Sequence, residues 1–79
     1  MKKSTKIMHF KIKITLNGKK YELQLKKHIT IQQIINLLYG KNKNIVLEHN
    51  KKIATKNKWN QIFIKPEDSI EILTIVGGG

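Results

Sequence analysis

An asparagine followed by a glycine, Asn17-Gly18, divides two stretches in which apolar and polar residues alternate. Both central positions of a tight type I′ turn need positive φ, which asparagine and glycine tolerate better than other residues. Ahead of the pair, Phe10, Ile12, Ile14 and Leu16 alternate with Lys11, Lys13 and Thr15; behind it, Tyr21, Leu23 and Leu25 alternate with Glu22 and Gln24. A period of two puts each apolar set on one face of an extended chain. The segment is therefore expected to form an antiparallel hairpin with one buried face.

That face needs a cover, and the next segment supplies one. Thr30 is a good helix N-cap, and Gln33 three residues on completes a capping box for otherwise unpaired backbone N–H groups. Ile31, Ile34, Ile35 and Leu38 fall at i, i+3, i+4 and i+7, one apolar stripe on a helix running from about Ile31 to Tyr39. Gly40 provides the stop, with Lys41 and Lys43 near the negative end of the helix dipole. Ile45-Val46-Leu47 reads as a third strand, Asn50-Lys51-Lys52 as a turn, and Ile53-Ala54 as the stub of a fourth strand. Trp59, Ile62 and Ile64 lie in an irregular connection expected to feed the core, with Trp59 as filler and not as a binding platform. Pro66-Glu67-Asp68-Ser69 is turn chemistry, and Ile70 to Val76 is the last strand. Hairpin, helix, strand, short strand and long strand, in that order, predict an α+β domain of the β-grasp, ubiquitin-like kind. One helix would pack across a mixed sheet of four to five strands. The expected organisation is a basic flexible arm over 1–9, the β-grasp domain over 10–76 and a flexible glycine tail over 77–79.

Size and composition restrict the function. A chain of 79 residues makes one domain, and at this size only about 60% of the unfolded surface is buried, too little for a walled active-site cleft. Cysteine is absent, which removes disulfides, thiolate nucleophiles and Cys-based zinc sites. No apolar run approaches the roughly 18 residues of a membrane span, and Lys11 and Lys13 break up any signal-peptide core, so neither a membrane nor secretion is expected. The net charge of +11 invites a nucleic-acid partner, but all 16 basic residues are lysine and they are spread along the chain. Arginine, the residue suited to bidentate phosphate and base contacts, is missing. Heavy use of Lys, Ile and Asn fits an AT-rich genome, so no nucleic-acid partner is expected, and the compartment is cytoplasmic or an organelle stroma such as the plastid's. His9, His28 and His49 lack metal-ligand spacing and read as surface or packing residues. Glu67, Asp68 and Glu71 read as solvated carboxylates, so neither a metal site nor a catalytic residue is assigned.

The last strand runs into Gly77-Gly78-Gly79. A tail that threads into another enzyme's active site must be thin and conformationally free, which glycine allows. A terminal carboxylate becomes an acyl donor once an oxygen is part of a leaving group, as in an anhydride with AMP, and a glycine leaves its carbonyl carbon unhindered. This chain offers no base of its own, so the chemistry falls to a partner. From Val46 to Gly79 the sequence resembles the ThiS family of sulfur carriers in thiamine thiazole biosynthesis. Asn50, Ile53, Trp59, Asp68, Ile70-Glu71-Ile72 and the closing Val76-Gly77-Gly78-Gly79 carry the resemblance. It implies a carrier, not an enzyme, that binds no cofactor itself. A ThiF-type adenylyltransferase would use ATP to adenylate Gly79, and a sulfur donor such as a cysteine desulfurase would convert it to a thiocarboxylate. A ThiG-type thiazole synthase would then take the sulfur. Gly78 and Gly79 match the family's functional pair, and Gly77 adds a flexible position. Three features depart from the family pattern: Glu67 stands where a glycine usually precedes the aspartate, the basic arm is longer, and the charge is far more positive.

Alternation places Ile70 and Ile72 toward the helix and turns Leu73 and Ile75 to the other side of the sheet. Exposed apolar residues beside a reactive tail would form a docking patch for the activating enzyme, extended by Val46. The same tail would also serve a molybdopterin-type sulfur carrier or a ubiquitin-like protein modifier, in which Gly79 is joined to a lysine amine.

Overall fold

The computed structural model describes residues 9–40 and 44–75. Its strands are β1 (Phe10–Leu16), β2 (Lys19–Leu25), β3 (Ile45–His49), β4 (Lys52–Ala54) and β5 (Ser69–Thr74), with one helix, α1 (Ile31–Tyr39). They form a five-stranded sheet in the order β2-β1-β5-β3-β4. β1 and β5 are parallel and the other neighbours antiparallel, so the sheet is mixed, as the element order predicts.

The hairpin closes where its turn chemistry requires. Leu16 faces Lys19 across Asn17 (φ 49°) and Gly18 (φ 82°), and the register then runs without slip to Phe10 opposite Leu25. α1 matches its expected bounds, and both halves of the capping box are formed: the Gln33 N–H donates to Thr30 Oγ1 at 3.2 Å, and the Thr30 N–H donates to Gln33 Oε1 at 2.8 Å. The first turn of a helix has further N–H groups with no intrahelical acceptor. Here the irregular connection satisfies them: Ile31 N–H donates to the Ile62 carbonyl at 2.9 Å and Gln32 N–H to that of Trp59 at 3.0 Å. The connection is thus fixed to the helix as well as to the core.

Ile12, Ile14, Ile31, Ile35, Leu47 and Ile70 lie at the centre of that core, together with Trp59 and Ile64 from the connection. Trp59 is filler, as expected, and its indole N–H donates to the Ala54 carbonyl at 2.8 Å. Several boundaries differ from the sequence reading: β3 runs on to His49, and β5 already begins at Ser69. The β3–β4 turn consists of Asn50 (φ 52°) and Lys51 (φ 69°), so Lys52 already belongs to β4. β5 ends at Thr74, although Ile75 still donates to the Asn44 carbonyl at 2.7 Å. Lys41, Lys43 and Val76 lie outside the described residues.

The expectations for Tyr21 and Leu38 fail, since both are exposed, at 45% and 48%, instead of joining the buried faces, and so does that for Asp68. Asp68 is not a solvated carboxylate; it is 5% exposed and organises the turn before β5. Its Oδ2 accepts the Lys65 N–H at 2.9 Å and lies 2.9 Å from His49 Nε2, while its Oδ1 accepts from the Asn50 side-chain amide at 3.1 Å. The Asn50 Oδ1 in turn accepts the Ser69 N–H at 2.8 Å. The cluster joins the β3–β4 turn to the start of β5. Sequence separation hid it, because Asp68 meets partners 18 and 19 positions away.

The same turn explains the glutamate that stands in place of the usual glycine. Asp68 N–H donates to the Lys65 carbonyl, Pro66 takes the second position, and Glu67 takes the third with φ of 69°. A turn of this kind favours glycine at its third position. A side chain held in the left-handed region costs about 1–2 kcal/mol, part of which glycine returns through its looser unfolded chain. Glu67→Gly is expected to stabilise the domain by about 0.5–1 kcal/mol, raising Tm by roughly 3–6 °C. A lower melting temperature in a thermal scan would contradict this reading of the turn.

Candidate functional site

Gly77, Gly78 and Gly79 lie outside the described residues, so the site is built from the strand that leads to them. β5 is the middle strand of the sheet, held between β1 and β3. Its alternation is as expected: Ile70 and Ile72 are buried against the helix side, whereas Leu73 is 65% exposed and Ile75 53% exposed. Val46, half-buried on β3, is the direct register partner of Leu73. The structure therefore brings together Val46, Leu73 and Ile75, the three residues singled out from sequence.

The sequence reading missed one neighbour. Glu48 pairs with Glu71 on one side and with Ile53 of β4 on the other, so Ile53, 67% exposed, continues the same face. The signal lay in the Asn50-Lys51 turn, since a two-residue turn fixes residue 48 opposite residue 53. Counting Lys52 as part of the turn concealed that register.

This outer face has two electrostatic halves. With Ile12 and Ile14 buried, alternation turns Lys11 and Lys13 of β1 outward, and Lys20 and Glu22 of β2 share that face, which leaves it with an excess of lysine. The β5-β3-β4 half carries Val46, Ile53, Leu73 and Ile75 around the carboxylates of Glu48 and Glu71, and no lysine. Like charges directly opposite each other across a strand pair oppose folding. Glu48 and Glu71 are both exposed, which lets water screen them.

Among the described residues no group of three or more His, Asp or Glu side chains converges on a point where a metal could sit. Among the described helices none is long and apolar enough to cross a membrane. His28 stacks at a tilt on Phe10, with centroids 4.8 Å apart, and His49 is engaged by Asp68. Burial alone would raise the Asp68 carboxyl's pKa. The hydrogen bonds from His49, the Lys65 backbone and Asn50, with a smaller contribution from the charge of His49, outweigh it and hold the group below the ordinary carboxylate value. That is the signature of a structural anion, not of a general acid. What the arrangement can do is present an apolar face beside the end of the sheet's middle strand.

Comparison with known proteins gives a consistent answer. The ThiS protein of Geobacter metallireducens, described as a thiamine biosynthesis protein, superposes with a TM-score of 0.73 over 86% of this chain and 100% of its own, at 20% identity. At that identity the match speaks to the fold, which is the β-grasp. The sulfur carrier protein ThiS of Bacillus subtilis is 36% identical over 67 residues, 84% of this chain and 98% of its own length. The uncharacterized protein ycf40 of Trieres chinensis is 38% identical over 64 residues, 81% of this chain and 85% of its own. The ThiS family model matches residues 10–79, from the first residue of β1 through the glycine tail. A β-grasp sheet, an apolar face beside its last strand and a family match that runs through Gly79 together establish that the chain belongs to the ThiS family.

Proposed function

We propose that this protein is a sulfur carrier whose reactive group is the carboxylate of Gly79, serving thiazole formation in thiamine biosynthesis. The observation that carries the reading is the extent of the family match, which includes Gly77, Gly78 and Gly79 along with the whole β-grasp domain. The name of the Bacillus subtilis relative, a sulfur carrier protein, points the same way.

In this scheme a ThiF-type adenylyltransferase joins the Gly79 carboxylate to AMP with release of pyrophosphate. A persulfide sulfur, supplied by a donor such as a cysteine desulfurase, attacks the carbonyl carbon and AMP leaves. Cleavage of the sulfur–sulfur bond by a second thiol frees the thiocarboxylate, from which a ThiG-type synthase takes sulfur. ATP is consumed by the partner, and the carrier holds no cofactor of its own. Its contribution is positional: the sheet is rigid, the tail is slender, and the enzyme supplies acid, base and leaving-group stabilisation. Similarity to ycf40 proteins of Trieres chinensis, Pyropia yezoensis and Porphyra purpurea, which are organelle-encoded, supports a plastid stroma as the place of action.

Val46, Leu73 and Ile75, with Ile53, form the docking face for the adenylyltransferase. Each residue buried there contributes at the usual rate for apolar surface, about 25 cal/mol per Å². Changing Leu73 and Ile75 together to serine removes two exposed apolar side chains and is expected to weaken adenylation about 10- to 100-fold with little change in Tm. Adenylation at the unaltered rate would remove the docking role and leave the carrier reading intact. The carrier reading itself is tested by supplying ATP, a ThiF-type enzyme and a persulfide donor, then weighing the product. A free chain with one oxygen replaced by sulfur supports it; a conjugate to a lysine of another protein refutes it.

A further inference from the structure

β1 ends level with the start of the strand it accompanies. Its pairing with β5 covers Thr15 opposite Ser69 and Leu16 opposite Ile70, after which the chain turns away at Asn17-Gly18. β5 runs on to Thr74, and Ile75 remains bonded to Asn44 on the β3 side. The direction of each peptide group along β5 follows from the bonds at its ends. Asn50 N–H to the Ser69 carbonyl (2.8 Å) and Ile75 N–H to the Asn44 carbonyl (2.7 Å) turn the odd-numbered residues toward β3. Asn17 N–H to the Ile70 carbonyl (2.9 Å) and Ile72 N–H to Asn17 Oδ1 (2.6 Å) turn the even-numbered residues toward β1. Peptide groups alternate along a strand, so the Ile72 carbonyl and the N–H and carbonyl of Thr74 face the side where β1 has already ended. Among the described residues none accepts the Thr74 N–H. The Asn17 side chain blunts this edge at Ile72 and no further.

Natural sheets cover or disrupt their free edges, because an unpaired row of N–H and C=O groups is a template for another strand. Here the open stretch lies in the middle of the sheet and leads directly into the glycine tail. We propose that Ile72–Thr74 is a strand-addition site, where the enzyme that takes the tail lays an extended segment of its own backbone. That segment accepts the Thr74 N–H and donates to the Ile72 carbonyl. The occupant is identified by hydrogen-bond complementarity, since a row of backbone donors and acceptors is matched by another extended backbone whatever its side chains. Continuity with the tail places that backbone on the enzyme that receives Gly79. A second copy of this chain is disfavoured as occupant, because two domains of net charge +11 repel. The inference rests on the carrier reading and adds to it a contact that uses no side chain of the apolar face.

Two measurements on the full chain with a ThiF-type enzyme and ATP test it. Amide exchange at Thr74, followed by NMR, is expected to slow by about tenfold or more when the enzyme is added, while the Ile72 amide, already bonded to Asn17, changes little. Thr74→Pro removes an N–H that lies outside the β3 ladder, and is expected to lower pyrophosphate exchange about tenfold relative to Thr74→Val, which retains it. Unchanged Thr74 exchange in a complex that turns over would overturn the proposal, as would equal activity of folded proline and valine variants. Should the proline variant not fold, the amide measurement on the unaltered chain decides alone. Protection of Thr74 without enzyme, appearing with dimerisation as concentration rises, would assign the edge to a second copy and refute the proposal. Absence of pyrophosphate exchange by the unaltered chain is a different failure, that of the carrier reading.

Discussion

Asp68→Ala is expected to cost the domain about 3 kcal/mol, more than any substitution on its surface. Asp68 is 5% exposed, and its carboxylate receives hydrogen bonds from the Lys65 backbone, the Asn50 amide and His49. Alanine deprives the Lys65 N–H of its side-chain acceptor, and it frees the Asn50 side chain that orders Ser69. A domain of this size has a total stability of roughly 5–10 kcal/mol, so the loss is a large share of it and Tm should fall by more than about 10 °C. Asp68→Asn keeps the shape but puts an N–H₂ where one oxygen accepted, and is expected to be nearly as costly. Chemical denaturation of the three proteins checks this. A loss below about 1 kcal/mol for alanine would show that the cluster contributes little.

The sign of the pH dependence follows from the same contacts. The folded-state pKa of Asp68 is depressed below its ordinary value of 3.8. Its contribution is therefore fully present above the ordinary carboxylate range and is lost as pH falls through the lower folded value. Removing the carboxylate should flatten part of the acid limb of the stability curve, and Asp68→Asn measured alongside the unaltered chain should show the two curves converging at low pH.

Local signals carried the fold. The Asn17-Gly18 turn, the Thr30–Gln33 capping box and the period-two pattern of β1 and β2 are all written within a few residues, and each formed where it was read. Leu73 and Ile75 were legible for the same reason, since alternation from Ile70 decides their side of the sheet. What stayed hidden depends on residues far apart in the chain. Asp68 reads as a polar turn residue until β3 and β5 are paired and His49 and Asn50 arrive beside it. Ile53 joins the docking face only through a register set by backbone angles at Asn50 and Lys51. The open edge after Leu16 requires the register of β1 against β5, which no local pattern states.

Deleting Gly79 is expected to have the largest effect on function. The shortened chain still ends in a glycine carboxylate, so the reacting group is chemically unchanged and the loss is one of reach. One residue of extended chain spans about 3.3–3.6 Å. Displacing a reacting atom by even about 1 Å can cost a factor of 10². Adenylation should therefore drop by more than about 100-fold while Tm stays the same, because Gly79 follows the folded sheet. Pyrophosphate exchange with a ThiF-type enzyme, measured side by side for the intact chain and for the chain lacking Gly79, is the most direct test. Brisk ATP-dependent exchange with the first and near-background exchange with the second is the predicted outcome; equal rates from both would contradict the assignment of the Gly79 carboxylate as the group on which this protein works.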